Sequence, residues 1–172
     1  ITSNNTIYGT QYQDFPDSKC PMIADMSSDI MSRKFDMNKF AMIYAGAQKN
    51  LGPSGVAVCI IRKDLVSRTP ANVPTMLRYE TFTKANSLYN TPPTYGIYMI
   101  ALVTDWIKEI GGIDAIEKIN NAKAAALYAA IDASEGYYNC PVHKDSRSRM
   151  NVVFRLPNED LEAKFVKEAK AA

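Results

Sequence analysis

The sequence predicts an α/β fold, on three observations. Residues 40–62 place two Ile- and Val-rich runs on either side of a polar loop of small residues, which reads as strand, tight connection, strand. Residues 94–110 carry apolar side chains almost all the way round a helix, and residues 113–134 carry them on one face. Strands and long helices in a chain of 172 residues, 47% of them hydrophobic, suffice for an ordinary layered domain with a filled core.

Taken in order, residues 1–10 are polar and turn-rich and predict a loop leaving a strand end; Thr6 there is open to an Asx or Ser/Thr turn. Residues 11–21 show little periodicity and read as a connection. Met22-Ile-Ala-Asp25-Met is a short strand ending in an acid. Asp25 or Ser27 could cap a turn through Asp29, or the Asp25 carboxylate could meet the ring nitrogen of a pyridine cofactor and keep it protonated. Arg33 reads as structural, a partner for a carboxylate.

The loop between the two Ile/Val strands holds Lys49, with Gly46, Gly52 and Gly55 leaving the backbone bare enough for a flat ligand to approach. A lysine at a buried sheet end loses its proton cheaply, and a neutral amine is what condenses with an aldehyde. A solvated surface charge and plain Gly-Pro-Ser-Gly turn chemistry are the blander alternatives. The Gln48 amide could serve a phosphate or the nearby backbone. This is not a Walker phosphate loop, because the lysine precedes the paired glycines and no Gly-Lys-Ser/Thr occurs.

Residues 68–89 read as a surface excursion. Asn90-Thr-Pro-Pro-Thr94 then signals a helix start with Thr91 or Asn90 as the cap, and such an N-terminus also offers free N–H groups to a phosphate. The helix over 94–110 is expected to be buried, with Tyr95, Tyr98 and Trp106 in the core, and Gly111-Gly112 ends it. The next helix is expected to bury Ile116, Ile119, Ala122, Ala126 and Ala130. Met150 to Leu156 alternates like a strand, the Arg147/Arg149 pair before it reads as a solvated strand edge rather than a substrate site, and Asn158 caps a last helix.

Several classes drop out. A formal charge of +2 gives no basic surface for nucleic acid or an anionic membrane, and no apolar run reaches the roughly 18 residues of a membrane span. Cys20, Cys59 and Cys140 are spaced like reduced thiols of a cytoplasmic protein, with Cys59 expected in the core. His143 is the only histidine, which leaves little for a metal site or a Ser-His-Asp triad. A first residue other than Met, and a last one inside a helical pattern, read as the ends of a fragment.

Four ordered segments resemble one family. Ala45-Gly-Ala-Gln-Lys49-Asn-Leu-Gly-Pro-Ser-Gly55 with Arg62-Lys-Asp-Leu65 is similar to the pyridoxal-phosphate lysine segment of phosphoserine aminotransferases. Ala24-Asp25-Met-Ser-Ser28 with Ser32-Arg33, Tyr89-Asn-Thr-Pro-Pro-Thr94, and Arg147-Ser-Arg-Met-Asn151 fit the same family in the same order. The resemblance implies a transferase of fold type I: part of a large-domain mixed sheet with helices over 1–112, a long connecting helix over 113–136, and the truncated start of a small α+β domain over 137–172.

It further implies pyridoxal 5'-phosphate as cofactor. Lys49 is then its Schiff-base lysine and proton carrier, and Asp25 the partner of its ring nitrogen. Thr6 touches its ring oxygen and Gln48 its phosphate, while Asn90 and Thr91 reach the cofactor phosphate of the other subunit in a homodimer. The implied reaction passes the amino group of L-glutamate to 3-phosphohydroxypyruvate, giving O-phospho-L-serine and 2-oxoglutarate in serine biosynthesis, with a phosphohydroxythreonine step of vitamin B6 synthesis as a second use. Another class V aminotransferase, a desulfurase, or a catalytically incomplete fragment are the alternatives.

Overall fold

The computed structural model describes residues 1–172. Its centre is a three-stranded sheet in the order β3 (Ile23–Asp25), β4 (Met42–Gly46), β5 (Ala57–Ile61). β3 and β4 run parallel with Asp25 opposite Tyr44; β4 and β5 run antiparallel with Gly46 opposite Ala57. Both predicted flanking strands and the short strand before them are therefore present. The first residues extend the sheet: Asp25 donates its N–H to the Ile1 carbonyl at 2.9 Å, and Ser3 donates to the Asp25 carbonyl at 3.0 Å.

From there the chain does not form the expected loop but a small antiparallel hairpin, β1 (Asn4–Asn5) and β2 (Thr10–Gln11). Asn5 shapes its turn: the side-chain oxygen accepts the N–H groups of Ile7 and Tyr8, each at 3.1 Å, and the Asn5 carbonyl accepts that of Gly9 at 2.9 Å. Gly9 closes the turn at φ +67°, a backbone setting that side chains resist.

One core lies against the sheet. Ala24, Met26, Ile43 and Ala45 meet Phe15 and Phe40, with Phe35 and Ile100 at the margin. The three phenylalanine rings pack edge to face, with centroids 4.8 to 5.9 Å apart. Arg33 is buried over the Phe15 ring and donates to the carbonyls of Gln13, at 2.5 Å, and Tyr12. It is structural, as expected, but it spends its donors on the backbone of the connection rather than on a carboxylate. Cys59, expected in this core, is exposed, because on β5 it is Val58 that packs against the core.

α1 (Lys63–Val66) follows β5, α2 (Tyr79–Lys84) lies within the surface excursion, and α3 (Thr94–Glu109) and α4 (Gly112–Asp132) come after it. Neither Asn90 nor Thr91 caps α3; the cap position is Pro93, with no side-chain hydrogen bond. Proline has already fixed φ and removed an orphan donor there, so the helix can start without a cap. Nor is α3 buried. It encloses only Gly96 and Ile107, while Tyr95 is 71% and Trp106 51% exposed and Tyr98 also faces solvent. A helix apolar on every side buries only the side that meets a partner, and in this chain the loop after β4 and α4 cover one side.

α4 spans nearly the expected residues and turns the other way. Asn120, Ala124 and Ile131 are buried, whereas Ile119, Ala122, Ala126 and Ala130 are exposed. Its inward face is partly polar because each polar group there has a partner. Asn120 donates to the Ser32 carbonyl at 3.2 Å, Glu117 pairs with Arg149 at 3.4 Å, and the Tyr128 hydroxyl donates to the Ser148 carbonyl at 2.9 Å.

Residues 150–156 form no strand; the one bridge there joins Arg155 to Asn139. The preceding arginines are not a solvated edge either. Arg147 makes a two-pronged ion pair with Asp132, at 2.8 and 2.9 Å, and stacks on Tyr128 with its guanidinium carbon 4.6 Å from the ring centroid. That hydrogen-bonded pair holds the Asp132 carboxyl down at about 2. α5 (Glu159–Ala171) closes the chain, and the Asn158 side chain caps it by accepting the Leu161 N–H at 2.9 Å.

Candidate active site

The sheet and the hairpin beside it bring four of the predicted residues to one place. The C-terminal ends of β3 and β4 lie side by side because the strands are parallel, and the crevice beyond such ends is where open α/β sheets bind ligands. Asp25 is the last residue of β3. Its Oδ1 accepts the Ser27 N–H at 2.9 Å, so the turn predicted from the sequence is made. The Ser27 hydroxyl then accepts the Gly46 N–H at 3.0 Å, tying that turn to the end of β4. Tyr44, opposite Asp25, has its phenol pushed above the ordinary range by the neighbouring carboxylate, with some help from desolvation.

The loop after β4 is fastened at its base by backbone. Ala47 donates to the Val56 carbonyl at 2.9 Å, Gly52 to the Ala47 carbonyl at 2.8 Å, and the Asn50 side chain to the Ile30 carbonyl at 2.9 Å. Gln48 and Lys49 stand exposed between these ties. The Gln48 amide folds back over Gly46, and a Cβ on that glycine would have to push this flexible, exposed side chain aside. Lys49 reaches away from the loop to the hairpin turn, and its Nζ donates to the Thr6 hydroxyl at 2.7 Å. The amine is thus held by a hydroxyl, without a carboxylate committed to it.

Beneath the hairpin lies a buried polar seam. Asp29 accepts from the Ser3 hydroxyl and from the Gln11 amide at 3.1 Å; burial still pushes its carboxyl upward against those hydrogen bonds. Asn4 donates to the Ser28 hydroxyl at 2.9 Å and to Asn151 Oδ1 at 2.8 Å, and accepts from the Ser148 hydroxyl.

Thr6, Asp25, Gln48 and Lys49 are therefore gathered at one end of the sheet. Asn90 and Thr91 are not: both are exposed before α3, and Asn90 donates only to the Thr91 carbonyl, at 3.1 Å. Ser27, Tyr44 and Asn151 were not assigned to this region from the sequence. Tyr44 carries a legible signal in hindsight, as the polar residue of an otherwise apolar strand, while Asn151 is linked to Thr6 only by the tertiary fold.

A carboxylate at a strand end, an amine on a small-residue loop, a hydroxyl holding that amine and an amide beside it together fit an aldehyde-bearing pyridine phosphate.

Known proteins resemble this chain over its whole length. The family described as aminotransferase class-V matches residues 1–172. A phosphoserine aminotransferase of Geobacillus kaustophilus is 60% identical over 170 residues, covering 99% of this chain and 47% of that protein. A solved phosphoserine aminotransferase, studied for radiation damage of its Schiff base, superposes with a TM-score of 0.97 at 59% identity, over 99% of this chain and 48% of that one. The PLP-bound phosphoserine aminotransferase of Trichomonas vaginalis superposes with a TM-score of 0.91 at 40% identity, over 96% of this chain and 48% of that one. The chain spans about half the length of the relatives it matches.

Proposed function

This chain belongs to the class-V aminotransferase family, and from that premise we propose that it carries the cofactor-binding half of a phosphoserine aminotransferase. Its reaction would pass the amino group of L-glutamate to 3-phosphohydroxypyruvate, yielding O-phospho-L-serine and 2-oxoglutarate. The observation that carries this reading is the gathering of Lys49, Thr6 and Asp25 at the C-terminal ends of β3 and β4.

Pyridoxal 5'-phosphate fits the residues present and, when bound, supplies an aldehyde carbon and a ring that withdraws electrons from the substrate's α-carbon. Lys49 would hold the aldehyde carbon, Asp25 the ring nitrogen, Thr6 the ring oxygen and Gln48 the phosphate. Asn90 and Thr91, remote from their own Lys49, would complete the phosphate site of a second copy in a homodimer. The Asp25 carboxylate would favour the protonated ring nitrogen by its charge. Lys49, whose Nζ rests on the Thr6 hydroxyl, would carry the proton from the substrate's α-carbon to the carbon that bore the aldehyde. Ser27 orients Asp25 in this scheme by fixing one carboxylate oxygen.

Residues 1–112 would then be part of a large domain, 113–136 the connecting helix and 137–172 the start of a small domain. Small-molecule substrates and a cytoplasmic biosynthetic role complete the reading; no helix is long and apolar enough to cross a membrane. Incubating the protein with pyridoxal 5'-phosphate, glutamate and 3-phosphohydroxypyruvate tests it: O-phosphoserine should accumulate, and should not with Lys49→Ala. Amination of glyoxylate or pyruvate instead would point to another class V aminotransferase, and no amination of any acceptor to a chain that is incomplete for catalysis.

A further inference from the structure

We propose that Asn151 is a positioning residue for the reactive lysine: it fixes the Thr6 turn and, through the Thr6 hydroxyl, sets where the Lys49 amine rests. This rests on the reading of Lys49 as the cofactor lysine, and it reaches into a segment more than 100 residues further along the chain.

The proposal follows from counting protons along the seam. Ser28 gives its hydroxyl proton to the Asn4 carbonyl at 2.8 Å, so toward the Asn4 side chain its oxygen can only accept, and Asn4 Nδ2 donates to it at 2.9 Å. That fixes which way the Asn4 amide points, with Oδ1 toward the Ser148 hydroxyl and the second N–H toward Asn151 Oδ1 at 2.8 Å. With its oxygen so engaged, Asn151 must turn Nδ2 the other way, where it donates to the Thr6 carbonyl at 2.8 Å. Thr6 Oγ1 in turn receives the Lys49 amine at 2.7 Å. Each amide in the chain has one satisfied orientation, so the turn is held by a directed series of donors rather than by a single bond.

The same segment holds the turn at a second point. Ser148 donates its N–H to the Gly9 carbonyl at 2.8 Å, and Val153 lies so close to Gly9 that its Cγ2 is 1.8 Å from where a Cβ would stand. Lysine has four rotatable side-chain bonds, so an amine that rests in one place depends on what receives it. Here the receiver is exposed and is itself anchored from residues 148–153.

The test is the rate at which pyridoxal 5'-phosphate forms a borohydride-trapped adduct, read by intact mass, in the unsubstituted protein and in K49A, N151D, T6V and the N151D/T6V double variant. Asn151→Asp keeps the shape and the acceptor facing Asn4 and replaces the donor to Thr6 by a charged acceptor that the Thr6 carbonyl repels. We expect no adduct with K49A and trapping slowed roughly tenfold with N151D or with T6V. The double variant should be no slower than the slower single, because both changes cut one relay. Thermal unfolding of each variant separates this from loss of fold. If N151D does not fold, Asn151→Ser replaces it, being too short to reach the Thr6 carbonyl. Thr6 sits on an exposed turn, so T6V reports in either case: trapping at the unsubstituted rate in T6V overturns the relay. Unchanged trapping in N151D with none in K49A also overturns it and leaves the lysine assignment standing. Multiplying effects in the double variant would mean that Asn151 acts apart from Thr6 and would overturn it too. Equal trapping in K49A and the unsubstituted protein would instead remove the reading on which the proposal rests.

Discussion

The seam under the hairpin and the loop that carries Lys49 are both polar and belong to one site, yet they are built in opposite ways. Ser3, Asn4 and Ser148 are fully enclosed and hydrogen-bonded to side chains far away in sequence. Gln48 and Lys49 stand in solvent on a loop whose ties are mostly backbone. Enclosed, fully paired polar groups and solvent-exposed ones are thus divided between separate residues here. A buried polar group is costly unless paired, so the seam admits one arrangement, whereas an exposed lysine adds little to stability and is free to do chemistry.

Substitutions should pull the two regions apart. The largest effect on stability is expected in the seam: Asn4→Leu removes the side-chain amide that Ser28, Ser148 and Asn151 all bond in a closed space, leaving Ser148 and Asn151 Oδ1 only each other and nearby backbone, and should cost about 3 kcal/mol in a denaturant titration. Gly9→Ala meets both a positive φ and Val153 and should cost about 2 kcal/mol. Tyr128→Phe removes one hydrogen bond to the Ser148 carbonyl, for about 1 kcal/mol. At the other extreme, Lys49→Ala should leave stability within about 0.5 kcal/mol while abolishing cofactor attachment. A Lys49→Ala protein as unstable as Asn4→Leu would break the comparison.

A smaller effect concerns pH. Asp132, held by Arg147 and assisted by Lys144, has its carboxyl lowered from an ordinary 3.8 to about 2. A lowered acid contributes stability that is complete above the ordinary value and lost as pH falls toward 2. Stability should therefore decline between about pH 4 and pH 2, and Asp132→Asn should flatten that part of the curve while leaving the remaining acid dependence. The carboxylate is exposed, so the change is modest, and an unaltered slope would show that the pair does not contribute.

How much could be read from the chain alone follows the kind of signal each element carries. β3, β4 and β5 were legible because apolar runs bounded by Gly, Asp and polar turns have one reading in two states of periodicity. The position of Lys49 at a strand end followed from them, and the helix spans followed from Gly111-Gly112 and Asn158. What failed was facing. Hydrophobicity assigned α4 the side bearing Ile119 and Ala126, but Asn120, Glu117 and Tyr128 find partners on the 32–34 and 148–149 segments, so a partly polar side turned inward. α3 is apolar all round, which declares a helix without declaring which side is covered. Residues 150–156 alternate like a strand, but pairing is a property of two segments, and only Arg155 meets one. The relay through Asn151 was illegible for the same reason: Asn4, Ser148 and Asn151 become neighbours only once the hairpin has docked.

Peptide mapping after borohydride reduction with pyridoxal 5'-phosphate tests most directly the proposed covalent bond between Lys49 and the cofactor. One reduced cofactor per chain is expected on the peptide that contains Lys49, and none on that peptide in Lys49→Ala. A stoichiometric adduct on another lysine, with Lys49 unmodified, would contradict it.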